Sequence, residues 1–487
     1  MRASTESTPL VPERRPRALA SIRAVPIALA AIAALALAFA ARDGARAFSF
    51  ARANEPPSYV RGASLAGELS AASEATVRAY GRKDAHVLRW THETGFRFAR
   101  ADARLYTRSG LAQAEVKMRL ATELAAKTIE TYYPERLKAD QPPFEVLYVV
   151  TDYPQTACVA AAAKTADPTC ADAERWSPIY MLGSAPRDEK VLPTLVGATL
   201  ITLATRVMEA MGRPTVERRS DSPVSWAQQN LEFDLFDLAT VHEAERASYE
   251  WENLKNVIVW RGGDYPFLGP AFPNFKEEAC RPRVRPCRLL HRLASYDNKT
   301  VGFSDMLGRN DITPRLRAVL MSKLDGSWID AAFIAASPGL DRELGIETDT
   351  PMSTNQHAQY KYQFDLGGWG GTTWTGTLRK LSMPGVLFHH ETSMKDSFSD
   401  ALEPWKHYIP VKEDLSDLRE RYDWARAHDE ECRRISETAT AWVRDFTSRR
   451  SILEHNYLKL AVPLERALDP TGAHRIPFQD AHPEFKT

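Results

Sequence analysis

Apolar and polar residues recur along the chain with different spacings, and each spacing predicts one kind of element. Over residues 64–133, apolar residues return every three or four positions, as in LAQAEVKMRLATELAAKTIETYY, and this spacing predicts helix. The run FEVLYVV at 144–150 is short, apolar and rich in Val, which predicts a strand buried on both faces of a parallel sheet. Helical spacing returns after Asp414 and continues to about Leu468.

Further short apolar runs alternate with helical segments. They predict strands at 178–182, 256–260, 360–366 and 385–390. Strands that alternate with helices indicate parallel α/β sheets, which bind ligands at the carboxyl ends of their strands. The strongly charged stretch 243–252 predicts an exposed helix between two halves of the chain.

Composition supports a folded protein and argues against one class of partner. The 487 residues include 11 Trp and are 44% hydrophobic, which excludes a disordered chain. Lys and Arg number 63, as do Asp and Glu, so the formal net charge is zero. A balanced chain has no general electrostatic reason to bind nucleic acid, and we expect no such partner.

The N-terminal region carries one long apolar segment. Residues 24–41 contain no charge over 18 positions, about the minimum for a membrane-spanning helix, and arginines precede them. The pattern fits a signal anchor, a cleaved signal peptide or a plastid-type transit peptide. The first two interpretations place the rest of the chain in the secretory lumen. We therefore expect a single-pass type II membrane protein of the endoplasmic reticulum or Golgi, or a secreted lumenal protein if the segment is cleaved.

The cysteines are consistent with an oxidising compartment. Five cysteines allow at most two disulfides, and the local pairs would be Cys158 with Cys170 and Cys280 with Cys287. Unpaired buried thiols are the alternative. None of the spacings is a CxxC, so we expect no structural zinc site. The N-glycosylation sequon at 298–300 would be used only in the same lumen.

Three segments together carry a family resemblance. Residues 402–418, LEPWKHYIPVKEDLSDL, are similar to the LxPWxHYxPVxxDLSDL block of glycosyltransferase family 90, nearly residue for residue. The segment KYQFD at 361–365 resembles that family's KYxxxxxG strand, and TLR at 377–379 resembles its Ser-Phe-Arg. The resemblance extends from about residue 140 to 450.

The resemblance implies a fold and a reaction. The fold is α/β, with two Rossmann-like domains facing across a cleft (GT-B type) and helical N- and C-terminal extensions. We divide the chain into a tail, anchor and stem (1–55), an acceptor-side domain (56–245), a nucleotide-sugar domain (246–430) and a helical extension (431–487). The implied reaction moves glucose or xylose from a UDP-sugar, with inversion and without a metal or other cofactor, to a protein Ser/Thr or glycan hydroxyl.

Asp152 is the candidate catalytic base. Inversion needs a carboxylate that takes the proton from the attacking acceptor hydroxyl. TDYPQ at 151–155 resembles the family's RDYPQ segment, whose Asp is the implied base, and it follows the strand predicted at 144–150. The structural alternative is an Asp-x-Pro turn that caps a helix.

Arg379 is the first candidate for binding the donor diphosphate. Without a metal, cationic or backbone donors must stabilise the departing diphosphate, and the Arg fork binds phosphate bidentately. Arg379 follows Gly376, Thr377 and Leu378, and the small residues there would let backbone N–H groups approach phosphate. A surface Arg paired with a carboxylate is the alternative.

Further donor-site candidates come from the same resemblance. Arg261 and Gly262 resemble the family's [FW]RG motif at a strand end, but the rest of that motif is displaced by about fifty residues. Its second arginine therefore has three candidates: Arg309, Arg315 and Arg317. Asp396 stands where the family has a Glu, and a carboxylate there would accept hydrogen bonds from ribose hydroxyls.

Two alternatives remain open at this stage. His389 and His390 are adjacent on a predicted strand, so they point to opposite faces, and we expect neither to be a metal ligand. The interrupted arginine motif and the shorter Asp396 also allow a lumenal carbohydrate-binding or interaction protein of the same fold without turnover. Retention of both Asp152 and Arg379 argues against that reading.

Overall fold

A computed structural model gives the fold of much of the chain after residue 84. The ranges that it describes are 85–100, 108–149, 179–181, 183–187, 195–198, 203–212, 235–263, 292–310, 312–334, 343–348, 351–368, 370–373, 375–469 and 474–486, with Ser70, Ala71 and Ser73. Asp152, the four cysteines predicted to pair and the apolar segment 24–41 lie outside these ranges. None of the helices in the described ranges is long and apolar enough to cross a membrane.

The first of the two larger sheets has five strands in the order β2-β1-β3-β4-β6. Its strands are β1 (Ala85–Thr91), β2 (Gly95–Arg100), β3 (Phe144–Val149), β4 (Ile179–Met181) and β6 (Leu195–Ala198). The strands predicted at 144–150 and 178–182 are confirmed as β3 and β4, which pair in parallel. The expectation that β3 has only parallel neighbours was wrong, because β1 pairs with it antiparallel.

Residues 85–100 form a β-hairpin, so the prediction of continuous helix over 64–133 was wrong there. Gly95 takes a φ of 63°, which a glycine adopts without strain, and it allows the tight turn between β1 and β2. The Trp90 ring stacks on Phe144 of β3 at 5.5 Å, and Phe96 packs edge-on against the same ring. Cross-strand aromatic packing of this kind outweighs local helical spacing. The predicted helix is present from Arg108 onward.

The second sheet is parallel throughout and has six strands in the order β13-β11-β10-β7-β8-β9. Its strands are β7 (Lys255–Gly262), β8 (Ile329–Ile334), β9 (Glu347–Thr348), β10 (Tyr360–Asp365), β11 (Val386–His390) and β13 (Ile409–Val411). The strands predicted at 256–260, 360–366 and 385–390 are confirmed as β7, β10 and β11. A third, two-stranded sheet pairs β5 (Ala185–Pro186) with β12 (Met394–Lys395).

Helices connect and flank these strands. In chain order they are α1 (Arg108–Tyr132), α2 (Ala204–Ala210), α3 (Glu243–Arg246), α4 (Lys299–Leu307), α5 (Pro314–Leu324), α6 (Thr354–Ala358), α7 (Thr375–Leu381), α8 (Leu418–Ala427), α9 (Asp429–Phe446), α10 (Arg449–Asn456), α11 (Val462–Leu468) and α12 (Phe478–Ala481). Helices α8 to α11 confirm the helical prediction after Asp414. The charged stretch 243–252 contains the short exposed helix α3.

The second sheet has a point at which the strand order reverses. From β7 the chain adds β8 and β9 on one side, and it then returns to add β10, β11 and β13 on the other. The carboxyl ends of β7 and β10 therefore diverge into connections on opposite sides of the sheet. In open α/β sheets this reversal leaves a crevice outside the strand ends, and ligands bind there.

The C-terminal helices return to the first sheet. The Tyr133 hydroxyl donates to the Ala461 carbonyl at 2.6 Å, and the Tyr180 hydroxyl donates to the Pro463 carbonyl at 2.9 Å. The Asn456 amide donates to Thr128 of α1 at 3.1 Å. Each of these bonds joins two residues that are far apart in the sequence. The C-terminal segment therefore holds the two sheets together.

Gly385, just before the start of β11, lies very close to the backbone of β10. A Cβ added there would lie 2.5 Å from the carbonyl oxygens of both Tyr360 and Lys361. We expect Gly385→Ala to lower the free energy of unfolding by about 1–3 kcal/mol, because β10 and β11 would have to separate. Urea denaturation measures this. The control is Gly326→Ala, whose new Cβ would meet nothing nearer than the Ser322 carbonyl at 3.5 Å. An equal loss in both variants would contradict the explanation.

Candidate functional site at the carboxyl edge of the parallel sheet

Arg315 bridges the ends of the two strands that flank the crevice. Its guanidinium donates to the carbonyl of Gly263, just after β7, at 2.8 Å. It also donates to the carbonyls of Leu366 and Gly367, just after β10, at 3.0 and 3.1 Å. The cation lies over the Trp260 ring at 5.4 Å. Of the three arginines that the sequence left open, Arg315 lies at this edge, whereas Arg317 donates to the Leu307 and Arg309 carbonyls at the end of α4.

Two glycines leave the room that this arrangement needs. A Cβ on Gly368 would lie 2.6 Å from an Arg315 nitrogen, and a Cβ on Gly367 would lie 2.3 Å from the Gly371 carbonyl oxygen. Neither position can carry a side chain unless its neighbours move. The loop after β10 is therefore shaped by close backbone packing around the arginine.

Asp365 is the hydrogen-bonding centre of the edge. It is the last residue of β10 and is almost completely buried. The Thr377 hydroxyl donates to its carboxylate at 2.7 Å, the His389 Nδ1–H at 2.9 Å and the His390 backbone N–H at 3.1 Å. The Thr373 hydroxyl is a longer contact at 3.3 Å. These donors connect the end of β10 with α7 and with the end of β11.

The charge at this edge is balanced between Asp365 and nearby cations. Burial opposes ionisation of Asp365, but His389, Lys380 and the Thr377 hydroxyl together bring its pKa below the ordinary value. Burial lowers the pKa of Lys380 to about 8; Asp365 opposes this shift, while Arg379 and Arg315 add to it. Arg379 and Arg315 thus disfavour the charged form of Lys380, whereas Asp365 favours it.

His390 joins the glycine loop to the segment after β13. Its Nδ1 accepts from the Gly367 N–H at 3.2 Å, and its Nε2–H donates to the Glu413 carbonyl at 2.8 Å, which assigns the tautomer. Burial lowers the pKa of His390 to about 4. His390 is therefore neutral and structural at neutral pH, whereas His389 pairs with Asp365. No group of three or more His, Cys, Asp or Glu in the described part of the chain is arranged to hold a metal ion.

Asp396 lies in the same small polar pocket as Asp365 and His389. It is buried, and the Thr372 hydroxyl donates to its Oδ1 at 3.1 Å. Burial raises the pKa of Asp396 to about 6, while the Thr372 hydroxyl and His389 act in the opposite direction. The pKa values of the two carboxyl groups in the pocket are thus shifted in opposite directions, since the surroundings favour the charge of Asp365 and oppose that of Asp396.

The donor-site residues predicted in α7 differ in their relation to this pocket. Within α7, Thr377 lines the pocket and Leu378 is core, while Arg379 is close enough to Lys380 to lower its pKa. Gly376 precedes them, and a Cβ added to it would lie 3.3 Å from the Thr373 Cβ.

Arg261 makes its contacts outside this pocket. It forms an ion pair with Asp330 of β8 at 2.8 Å and lines a separate groove with Lys255 and Tyr360. A Cβ on the neighbouring Gly262 would lie 2.4 Å from the Trp260 ring.

Sequence reasoning missed several residues of the pocket. Asp365 ends a strand that was predicted, so its polar side chain at a carboxyl end was an available signal. Lys380 follows Arg379 directly, and the basic pair was also visible. Ser184 carried no signal, because the pairing of β5 with β12 holds its segment beside a segment far away in the sequence.

Comparisons with known proteins bear on the same part of the chain. Residues 305–459 match the family model described as Glycosyl transferase family 90. This segment belongs to glycosyltransferase family 90. It contains Arg315, Asp365, Arg379 and Asp396, and it ends within the C-terminal helices. Asp152 and Arg261 lie outside the family 90 match.

Curated relatives of this family 90 segment carry consistent names. Protein O-glucosyltransferase 3 of Rattus norvegicus is 29% identical over 183 residues, which are 36% of this chain and 34% of the relative. Protein O-glucosyltransferase 2 of Danio rerio is 29% identical over 191 residues, 36% of each chain. Protein O-glucosyltransferase 1 of Homo sapiens is 28% identical over 197 residues, 38% of this chain and 46% of the relative. The matches thus span between a third and a half of these relatives.

Proposed function

We propose that this protein is an inverting O-glycosyltransferase that moves glucose or xylose from a UDP-sugar to an acceptor hydroxyl on a protein Ser/Thr or a glycan. The observation that carries the proposal is the group of cations Arg315, Arg379 and Lys380 beside Asp365 at the strand-order reversal. A diphosphate is the anion that such a crevice in an α/β sheet accommodates. The family 90 match and the names of the relatives support the same reaction class.

Each residue has a proposed role. Asp152 takes the proton from the acceptor hydroxyl, and Lys380 and Arg379 stabilise the charge that develops on the departing diphosphate. Arg315 holds the two strand ends in place, and Asp396 accepts a hydrogen bond from a ribose hydroxyl. The two sheets would then be the cores of two Rossmann-like domains in a GT-B arrangement. The proposed reaction uses no metal.

The test is donor consumption by the full chain in detergent. UDP-glucose and UDP-xylose are offered separately, and UDP release and UDP binding are both measured. Release from one donor identifies the sugar. UDP binding without release from either donor would favour the carbohydrate-binding alternative, since the donor site would be present without turnover. Absence of UDP binding would contradict the proposed donor site.

The proposed compartment is the secretory lumen, with the chain anchored through residues 24–41. The sequon at 298–300 supports this proposal. The Asn298 side chain is exposed and accepts from the Thr300 and Val301 N–H groups through its Oδ1 at the start of α4. The Nδ2 atom, to which a glycan would be joined, takes no part in those two bonds. We expect the protein made in a secretory host to lose mass on glycosidase treatment, and the Asn298→Gln variant to show no such loss.

A further inference from the structure

A chain of hydroxyl groups connects the first sheet to the pocket in the second. Ser184 follows β4 and is fully buried, and its Oγ lies 2.7 Å from the Thr372 Oγ1. Thr372 donates its single hydroxyl proton to Asp396 Oδ1 at 3.1 Å. Since Thr372 has no second proton to give, Ser184 must be the donor between the two hydroxyls. The order is therefore Ser184 to Thr372 to Asp396.

The backbone fixes the position of Ser184 relative to Asp396. Immediately after Ser184, strand β5 pairs with β12, so that Ala185 lies opposite Lys395 and Pro186 opposite Met394. Arg187 extends this contact, because its N–H donates to the Ser393 carbonyl at 2.8 Å and its Nε to the Thr392 carbonyl at 2.9 Å. This hydrogen-bonded ladder therefore holds Ser184 against the second half of the chain.

The hydroxyl chain engages one oxygen of the Asp396 carboxyl group. Thr372 bonds to Oδ1, and the Ser184 Oγ is 3.5 Å from the same atom. The other oxygen, Oδ2, accepts no hydrogen bond among the described residues, and the side chain lines the polar pocket. The protein therefore donates a hydrogen bond to one oxygen of the carboxyl group, and the other oxygen can accept one from a ligand. This arrangement orients a carboxylate toward a hydroxyl donor.

We propose that Ser184 is a positioning residue of the nucleotide-sugar site, acting through Thr372 to turn Asp396 toward a ribose hydroxyl. The inference rests on the proposed function and goes beyond it, because it makes the first half of the chain part of donor recognition. Donor affinity then depends on the β5–β12 ladder that joins the halves. A network of this kind also strengthens as its terminal acceptor becomes charged.

The test is calorimetric binding of UDP, 2′-deoxy-UDP and 3′-deoxy-UDP to the full chain in detergent. Ser184→Ala should weaken UDP binding about three- to tenfold, the loss expected for one hydrogen bond. The loss should be smaller for the analogue that lacks the hydroxyl bound by Asp396. The control is Ser436→Ala, which removes a buried serine hydroxyl that bonds to the Pro384 and Gly385 carbonyls.

A second variant tests the route through Thr372. In the Thr372→Val background, Ser184→Ala should have little further effect on UDP affinity, because the relay is already broken. Full additivity of the two losses, or an equal loss for UDP and both deoxy analogues, would overturn the positioning role. Unchanged UDP affinity in Ser184→Ala would do the same.

Titration of the Asp396 carboxyl group by NMR separates this inference from the proposed function. Loss of the relay should raise the pKa of Asp396 in Ser184→Ala, since the donor that favours its charged form is weakened. If the wild-type protein bound no UDP, the proposed donor site would fail, and the titration would still decide the relay. An Asp396 pKa that is the same in the wild type and in Ser184→Ala would refute the relay whatever the UDP result.

Discussion

Replacement of Asp152 by Asn should abolish most sugar transfer while leaving UDP binding intact. We expect kcat for transfer to fall by about 10²–10⁴-fold, the usual contribution of a positioned general base. Asn has nearly the shape of Asp but cannot accept a proton from the attacking hydroxyl. The measurement is the initial rate of UDP release with the acceptor present, beside the dissociation constant for UDP.

The separation of rate from affinity follows from the proposed division of the site. The groups assigned to the diphosphate, Arg379 and Lys380, lie beside Asp365 in the second half of the chain. Asp152 comes three residues after the last residue of β3, in the first half. A change at Asp152 should therefore affect the acceptor hydroxyl and not the nucleotide.

The control for this experiment lies at the other end of the same strand. Asp140 is exposed in the turn that precedes β3, and Asp140→Asn makes the same chemical change away from the proposed site. It should retain wild-type transfer. If Asp152→Asn kept more than about a tenth of the wild-type rate, the assignment of the base would be wrong, and the Asp-x-Pro turn would be the better interpretation of the segment.

The sequence predicted those parts of the fold that depend on local patterns. The β-strands at 256–260 and 385–390 were predictable because strands in a parallel sheet are buried on both faces and appear as short, largely apolar runs. The hairpin at 85–100 was not predictable in this way, because its stability comes from the packing of Trp90 and Phe96 on Phe144, about fifty residues further along the chain.

The residues of the site likewise differ in whether a local sequence pattern could predict them. Asp365 and Arg315 lie where strands end or helices begin, so a pattern could point to them, although only the fold distinguishes Arg315 from Arg317. Ser184 and Thr372 are separated by 188 residues, and the ladder of β5 with β12 holds Ser184 next to the segment of Asp396, to which Thr372 donates. Pairing between short segments this far apart depends on tertiary structure, and neither segment is apolar enough to signal it.

Two substitutions at the edge of the second sheet should change the acid sensitivity of the fold in opposite directions. We consider the change in the free energy of unfolding when the pH is lowered from 7 to 4.5. The loss over this range should be about 2 kcal/mol smaller in His390→Asn than in wild type, and larger by a similar amount in Asp396→Asn. Asn at 390 keeps a short side chain with an acceptor for the Gly367 N–H. Asn at 396 keeps the shape of Asp without its proton equilibrium.

The signs follow from the proton count in each state. The folded-state pKa of His390 is lowered to about 4 by burial, so between about pH 6.5 and 4 the unfolded state binds more protons and acid destabilises the fold. The folded-state pKa of Asp396 is raised to about 6 by burial, so between about pH 6 and 4 the folded state binds more protons and acid stabilises it. Asp365, whose pKa is lowered, loses its contribution only as the pH falls below about 4.

Urea denaturation at pH 7, 5.5 and 4.5 measures these differences within each variant. The comparison across pH removes any constant cost of the substitution, such as the hydrogen bond that His390→Asn loses to the Glu413 carbonyl. Because the two variants should diverge from wild type on opposite sides, a general effect of weakening the fold cannot imitate the result. Parallel profiles for all three proteins would show that His390 and Asp396 titrate alike in the folded and unfolded states, and would refute the electrostatic account of the pocket.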